Sequence, residues 1–292
     1  MSTVRKKIVF IGPAGTGKTS IKKTFFEKYS PISLLKEPLN PSRGVNTSNY
    51  NLFNSNLGLF DLAGQENNLW LSDANKSVLN NSNLIICIFD IHNSVESIVQ
   101  FLLNVYQILV ELNLDSCRVV AFMNKIDLVS DSYVKRKIKT IREFFTIQHP
   151  RGDLFEIFQT SITKEHYFYT FKILLKLLKN MISYNGMTIQ KTQFANSIYN
   201  TFLILDGVQN SSLPIKELAL SLNIIETEAL SLLKTMQEKR IITALNEMNT
   251  INLSDSAYFL KFGLEHQNDK EREENLEFET FYFFFILNEW NA

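Results

Sequence analysis

The run Gly12-Pro13-Ala14-Gly15-Thr16-Gly17-Lys18-Thr19 has the spacing G-x-x-x-x-G-K-S/T. Glycines at those places let a backbone wrap phosphates and turn successive N–H groups inward. Lys18 then supplies a point charge at the β and γ phosphates, and the Thr19 hydroxyl is suited to Mg²⁺. A plain glycine turn is the competing reading, and the placement of the run between a strand and a helix start argues against it. Further on, Asp61-Leu62-Ala63-Gly64-Gln65-Glu66 follows an apolar strand. An Asp at a strand end can hold the Mg²⁺ shell through water, a Gly64 N–H free of any side chain can meet a γ-phosphate, and Gln65 can orient an attacking water. Asn124-Lys125-Ile126-Asp127 ends another strand. The Asp127 carboxylate can accept from both N1–H and the N2 amine of guanine, a pair adenine lacks. A polar strand exit would explain that tetrapeptide alone, but not its order and distance from the other two segments.

Elements that would position these residues are legible as alternating β-rich and amphipathic runs, the pattern of an α/β domain with a mainly parallel sheet. Six strands are expected, at Lys7–Ile11, Tyr50–Phe53, Leu57–Phe60, Leu84–Phe89, Arg118–Met123 and Leu154–Gln159. Leu84–Phe89 is apolar throughout, as befits a central strand covered on both faces. Helices are expected near Lys18–Tyr29, Val95–Leu112, Tyr133–Phe145 and Glu165–Met181.

Composition narrows the class. The chain has 292 residues, 45% hydrophobic and 21% charged, which disfavours disordered, collagen-like and coiled-coil classes. Thirty basic and thirty acidic residues leave no global field for nucleic acid or an anionic membrane. Cys87 and Cys117 lie in apolar stretches without zinc-ligand spacing, which suits thiols packed in a reducing compartment. His92, His149, His166 and His266 share no spacing that suggests a metal. No export signal, membrane-spanning run, myristoylation glycine or prenylation cysteine is read, so the expected location is cytoplasmic, with any visit to a membrane surface mediated by partners. The cationic residues Lys135, Arg136, Lys137, Lys139 and Arg142 read as a solvated helix face.

With the three motifs in order, residues 6 to about 183 resemble a Ras-superfamily GTPase, and within it the Rag/Gtr and Arf-like proteins. The Rag/Gtr likeness rests on Gly17-Lys18-Thr19-Ser20, on the strand ending Phe89-Asp90, on the long helix after Val95 and on the turn Thr160-Ser161-Ile162. The resemblance implies a P-loop fold that binds and hydrolyses GTP with Mg²⁺. It adds Ser20 to the nucleotide-binding set of Gly12, Pro13, Ala14, Gly15, Thr16, Gly17, Lys18, Thr19, Gly64, Asn124, Lys125 and Asp127. It also adds Ser161 and the backbone N–H of Ile162 from the fifth guanine-contacting segment, where Thr163 replaces the family lysine. Gln65 and Lys18 are the expected catalytic pair. Pro41-Ser42-Arg43-Gly44 resembles the Arf-type P-T-x-G segment, placing Ser42 with Thr19 and Asp61 at the metal and leaving Thr47 as its rival. Effectors, an activator protein, and another GTPase or a roadblock-like protein are the implied partners.

After Asn185-Gly186 the alternation stops. Helical patterns around Phe194–Leu205, Pro214–Leu222 and Thr227–Glu238 precede two β-prone runs, Ile241–Thr243 and Ile251–Leu253, an order that resembles a winged helix-turn-helix where Rag/Gtr proteins carry a roadblock domain. The expected division is a G domain over 1–184, a winged-helix-like domain over 185–264 and an acidic, then aromatic tail over 265–292. Two functions follow: a GTP-driven switch with a protein-binding winged helix, or a nucleotide-gated transcriptional regulator. Six basic against seven acidic residues over 187–264 favour the first, since DNA binding needs a basic footprint.

Overall fold

The apolar run expected at the centre forms β4 (Leu84–Asp90), buried along Leu84–Phe89 and placed in the middle of the sheet. Parallel neighbours flank it, β1 (Val4–Ile11) on one side and β5 (Arg118–Asn124) on the other, buried on both faces along Ile8–Ile11 and Val119–Asn124. β6 (Glu156–Thr160) extends one edge in parallel, and β3 (Ser55–Leu62) the other. β2 (Val45–Leu52) closes that edge antiparallel to β3, giving the order β2-β3-β1-β4-β5-β6. This computed structural model describes residues 4–37, 39–52, 55–148, 156–181, 193–205, 215–245 and 251–267. The expected strand residues Phe53, Leu154 and Phe155, the helix start at Pro214, most of the linker near Asn185 and the tail from 268 onward lie outside them.

Side-chain alternation divides the core into two layers. Val9, Ile11, Ile85, Cys87 and Phe89 face α4 (Val95–Glu111) and α5 (Asp131–Gln148). Ile8, Phe10, Leu84, Ile86 and Ile88 face α1 (Lys18–Phe26) and α6 (Lys164–Met181). Cys87 is a free, buried thiol, pushed far up in pKa by desolvation, and Cys117 is likewise unpaired.

Strand starts differ from the sequence reading where side chains carry no apolar signal. β2 begins at Val45, five residues earlier than expected, because Asn46, Thr47, Ser48 and Asn49 are polar and owe their strand state to pairing with β3. A short helix, α2 (Pro31–Lys36), was not anticipated; neither was α3 (Asn67–Trp70) after Gln65.

Beyond α6 come α7 (Gln193–Ile204), α8 (Ile215–Leu222) and α9 (Glu226–Glu238), then the antiparallel pair β7 (Ile242–Leu245) and β8 (Ile251–Leu253). Asn223 turns α8 into α9 with φ 53°, a left-handed conformation that asparagine tolerates. A tenth helix, α10 (Asp255–Glu265), lies where the sequence reading assigned no element. It crosses α6 so closely that a Cβ on Gly263 would stand 2.1 Å from that of Phe168. Ile198, Phe202, Leu232, Leu233, Met236 and Leu260 join α6 and the sheet in one continuous apolar layer.

Candidate nucleotide site

The glycine-rich run forms the loop between β1 and α1, and two of its glycines are required by contact. A Cβ on Gly12, at φ 148°, would stand 2.1 Å from the Ile88 carbonyl oxygen, and one on Gly17, at φ 92°, would stand 2.4 Å from the Asn124 amide nitrogen. The loop thus rests on β4 and on Asn124, whose Nδ2 donates to the Thr16 carbonyl at 2.8 Å while its Oδ1 accepts from Thr160 at 3.2 Å. Asn124 is buried and engaged at both ends, so it supports the loop from behind.

Lys18 is 6% exposed and donates to the carbonyls of Gly12 and Pro13, each at 2.7 Å. Burial pushes its ammonium down to about 8, against the pull of Asp61. A cation held this dry, with only neutral oxygens as partners, strongly favours an arriving anion. Beside it, Thr19 Oγ1 donates to Asp61 Oδ2 at 2.8 Å and lies 3.0 Å from Ser42 Oγ. Asp61 is 1% exposed, and its Oδ1 has no hydrogen-bond partner among the described residues. Burial raises its carboxyl above the ordinary carboxylate range, against the Thr19 hydrogen bond and the charges of Lys18 and Lys22. Three convergent oxygens with an orphaned buried acceptor fit a hard divalent cation such as Mg²⁺. Thr47, the rival of Ser42, is exposed on β2 opposite Phe60 and outside this cluster.

Two loops close over the Lys18 end of the site. The Ala63 N–H donates to the Gly44 carbonyl at 3.0 Å, the Gly44 N–H donates to the Glu66 carboxylate at 3.0 Å, and Trp70 Nε1 donates to the Ala63 carbonyl. Gly64 lies so near the glycine-rich loop that a Cβ would stand 2.5 Å from the Ala14 nitrogen and 2.6 Å from Lys18 Nζ. Gln65 follows, exposed and facing the same cavity.

At the other end Ser161 Oγ donates to Asp127 Oδ1 at 2.5 Å and receives the Thr163 N–H at 3.1 Å. Thr163, replacing the family lysine, places its hydroxyl 3.1 Å from the same oxygen. Thr170 clamps the Ser161 backbone by accepting its N–H and donating to its carbonyl. Lys125 adopts φ 63° and pairs with Asp90 at 2.7 Å. Partial burial works against ionisation of Asp90, yet the bonds from Lys125 and His92 hold its carboxyl below the usual range.

A cavity of about 430 Å³ joins the two ends. Ala14 to Ser20, Ser42, Gly64, Gln65, Lys125, Asp127, Ser161 and Ile162 line it together with the edge of Asn124, whereas Gly12 and Pro13 lie behind it and Asp61 is reached through Thr19. Sequence reasoning missed the apolar lining, Leu34 and Leu35 of α2 with Leu39 and Leu128. The Ser30-Pro31 pair, a helix-start signal, was available to find α2. Among the described residues no group of three or more His, Cys, Asp or Glu is arranged to hold a metal, and no helix is long and apolar enough to cross a membrane.

Among solved structures, the chain is similar to translation elongation factor SelB from Methanococcus maripaludis in complex with the GTP analogue GppNHp. The identity is 16%, the TM-score 0.45, and the match covers 63% of this chain and 35% of that one, so it spans about a third of that protein. Comparison with curated proteins gives no match. The family model for the Gtr1/RagA G protein conserved region matches residues 7–206, more than half of the chain and the whole of the pocket just described. The chain therefore belongs to the family defined by the Gtr1/RagA G protein conserved region.

Proposed function

We propose that the cavity holds guanine nucleotide with its phosphates on the loop from Gly12 to Ser20 and its base against Asp127, Ser161 and the Ile162 backbone. The observation that carries this reading is the single cavity shared by Lys18, Gly64, Gln65, Asp127 and Ser161. Lys18 exchanges the carbonyls of Gly12 and Pro13 for phosphate oxygens when nucleotide enters. Thr19, Ser42 and Asp61 would hold Mg²⁺, which when bound would neutralise charge on the phosphate oxygens. The Gln65 amide aims a water at the γ-phosphorus; the P–O bond to the β–γ bridging oxygen breaks, Lys18 and the loop amides stabilise charge on the leaving diphosphate, and the water's proton leaves with inorganic phosphate. Among the described residues no arginine lines the cavity, so the intrinsic turnover is slow and a protein activator accelerates it.

Residues 185–264 act as a winged-helix-like module for protein partners in the cytoplasm. Leu220 and Ile225, 80% and 65% exposed, offer apolar contacts on α8 and at the start of α9. The first turn of α9, where a recognition helix would meet DNA, carries Glu226 and Glu228, which repel phosphates. The transcriptional-regulator reading is not favoured. Calorimetric titration with GTP in the presence and absence of Mg²⁺ tests the metal assignment. Tight binding should require Mg²⁺ in the parental protein, and Asp61→Ala should erase the difference; a parental affinity indifferent to Mg²⁺ refutes it.

A further inference from the structure

The rim at the base end of the cavity is built from two short pieces, and α10 touches one end of each. On one side α2 brings Leu34 and Leu35 to the cavity, yet it has six residues, with Pro31 buried and only Ile32 and Leu34 partly buried against the core. A helix that short is not stable on its own, so its position is imposed from outside. Its N-cap, Ser30, accepts the Ser33 N–H at 3.1 Å and donates its own hydroxyl proton to the Asp255 carboxylate in the first turn of α10. On the other side the turn Ser161–Thr163 runs directly into Lys164 at the start of α6. Lys164 Nζ donates to Tyr258 Oη at 2.7 Å, and lies 4.7 Å from the Tyr258 ring centre and 4.0 Å from that of Phe262. One helix near the C-terminus therefore grips both walls, and it is anchored by the close crossing at Gly263.

We propose that α10 fixes the base-side rim of the pocket through Ser30 on one wall and Lys164 on the other, and so sets the rate at which guanine nucleotide leaves, with Asp255 and Tyr258 as its positioning residues. The inference rests on the reading of the cavity as the guanine nucleotide site. The phosphates are gripped by the loop, so the base must part the two walls before the nucleotide can depart. Loosening either grip lowers that barrier without touching the group that aims the water.

The test is release of a fluorescent GDP analogue from the full chain into excess unlabelled GDP with Mg²⁺ present, beside single-turnover GTP hydrolysis. Asp255→Ala and Tyr258→Phe should each accelerate release about 3- to 10-fold, the span expected for one hydrogen bond, with hydrolysis unchanged. Asp255→Asn, which keeps an acceptor for Ser30, should return release to near the parental rate, a rescue that a general loss of stability would not give. Should Asp255→Ala fail to fold, Tyr258→Phe removes a single hydroxyl and decides the matter alone. Release at the parental rate in the folded variants, or hydrolysis falling in step with faster release, overturns the proposal. A parental protein that holds no fluorescent GDP sinks the site reading together with it, whereas tight parental binding with unaltered variants sinks this inference only.

Discussion

The pocket and the C-terminal block from α7 to β8 are held together by opposite means. Around the pocket the buried groups are polar: Lys18, Asp61, Asn124, Thr160 and Ser161 are all 6% exposed or less and bonded to one another, to the loop or, for Ser161, to Asp127. In the C-terminal block the buried side chains are mostly aliphatic and aromatic, such as Ile198, Phe202, Leu233 and Met236. Where its charges reach the G domain, they do so at helix ends. Lys28 donates to the Lys239 carbonyl at 3.3 Å and Arg240 donates to that of Glu27 at 3.4 Å, so α1 and α9 each have a carbonyl near their C-terminus met by a cation from beyond the end of the other. A buried polar network tolerates few residue types, because each lost partner strands another polar atom. An apolar core tolerates many, provided volume is kept. Buried polar groups are therefore concentrated in the first region, and buried apolar ones in the second.

Substitutions sharpen this contrast, beginning with the largest expected effect. Lys18→Ala should weaken GDP and GTP by about 100-fold or more, since it removes charge-assisted bonds to phosphate worth roughly 3 kcal/mol together. Circular dichroism of the same variant should show an intact fold. Leu233→Ala, at a fully buried position of α9, should reverse the pattern. It should cost about 3 kcal/mol of stability in a denaturant titration and leave the preference for guanine over adenine nucleotides untouched. If it abolished that preference, the two regions would not be separable in this way. Gln65→Leu should slow single-turnover hydrolysis about 10- to 100-fold at unchanged GTP affinity, because orienting water contributes to the transition state alone.

The smallest effect concerns the seam. Burial, with Lys239 and Arg240 nearby, pushes the Lys28 ammonium down to about 8 from 10.5. A cation whose folded pKa is depressed opposes folding while charged; that cost is fully present below pH 8 and fades as pH rises toward 10.5. Lys28→Met should therefore raise Tm near neutral pH by about 2 °C, and the gain should vanish above the unfolded pKa. A gain that grows with pH would show that the repulsion has been assigned the wrong sign.

How much of this was legible beforehand depended on the physical signal. The loop, Asp61, Gln65 and Asp127 stood out in the sequence because their types and order match what binding of phosphate and guanine demands. The central strand was readable because Leu84–Phe89 has no polar face. α2 was hidden because its six residues have no periodicity strong enough to mark a helix, and its position comes from Ile32 and Leu34 against the core together with the Ser30–Asp255 bond. α10 was overlooked although Ala257, Leu260 and Leu264 have helical spacing after the Ser254 cap, since the hairpin before it looked like the end of a module. The role of Asn124 as a prop for Thr16 is a matter of distance, which no motif encodes.

The central claim, that the Asp127 carboxylate reads guanine in this cavity, is tested most directly by thermal shift with Mg²⁺ and GTP, ATP or xanthosine triphosphate, on the parental protein and on Asp127→Asn. GTP alone should stabilise the parental chain, by about 2.7 kcal/mol at a hundredfold excess over Kd, and the variant should transfer that stabilisation to the xanthine nucleotide. Equal stabilisation of the parental chain by ATP and GTP, or a variant that keeps its preference for GTP, would contradict the account.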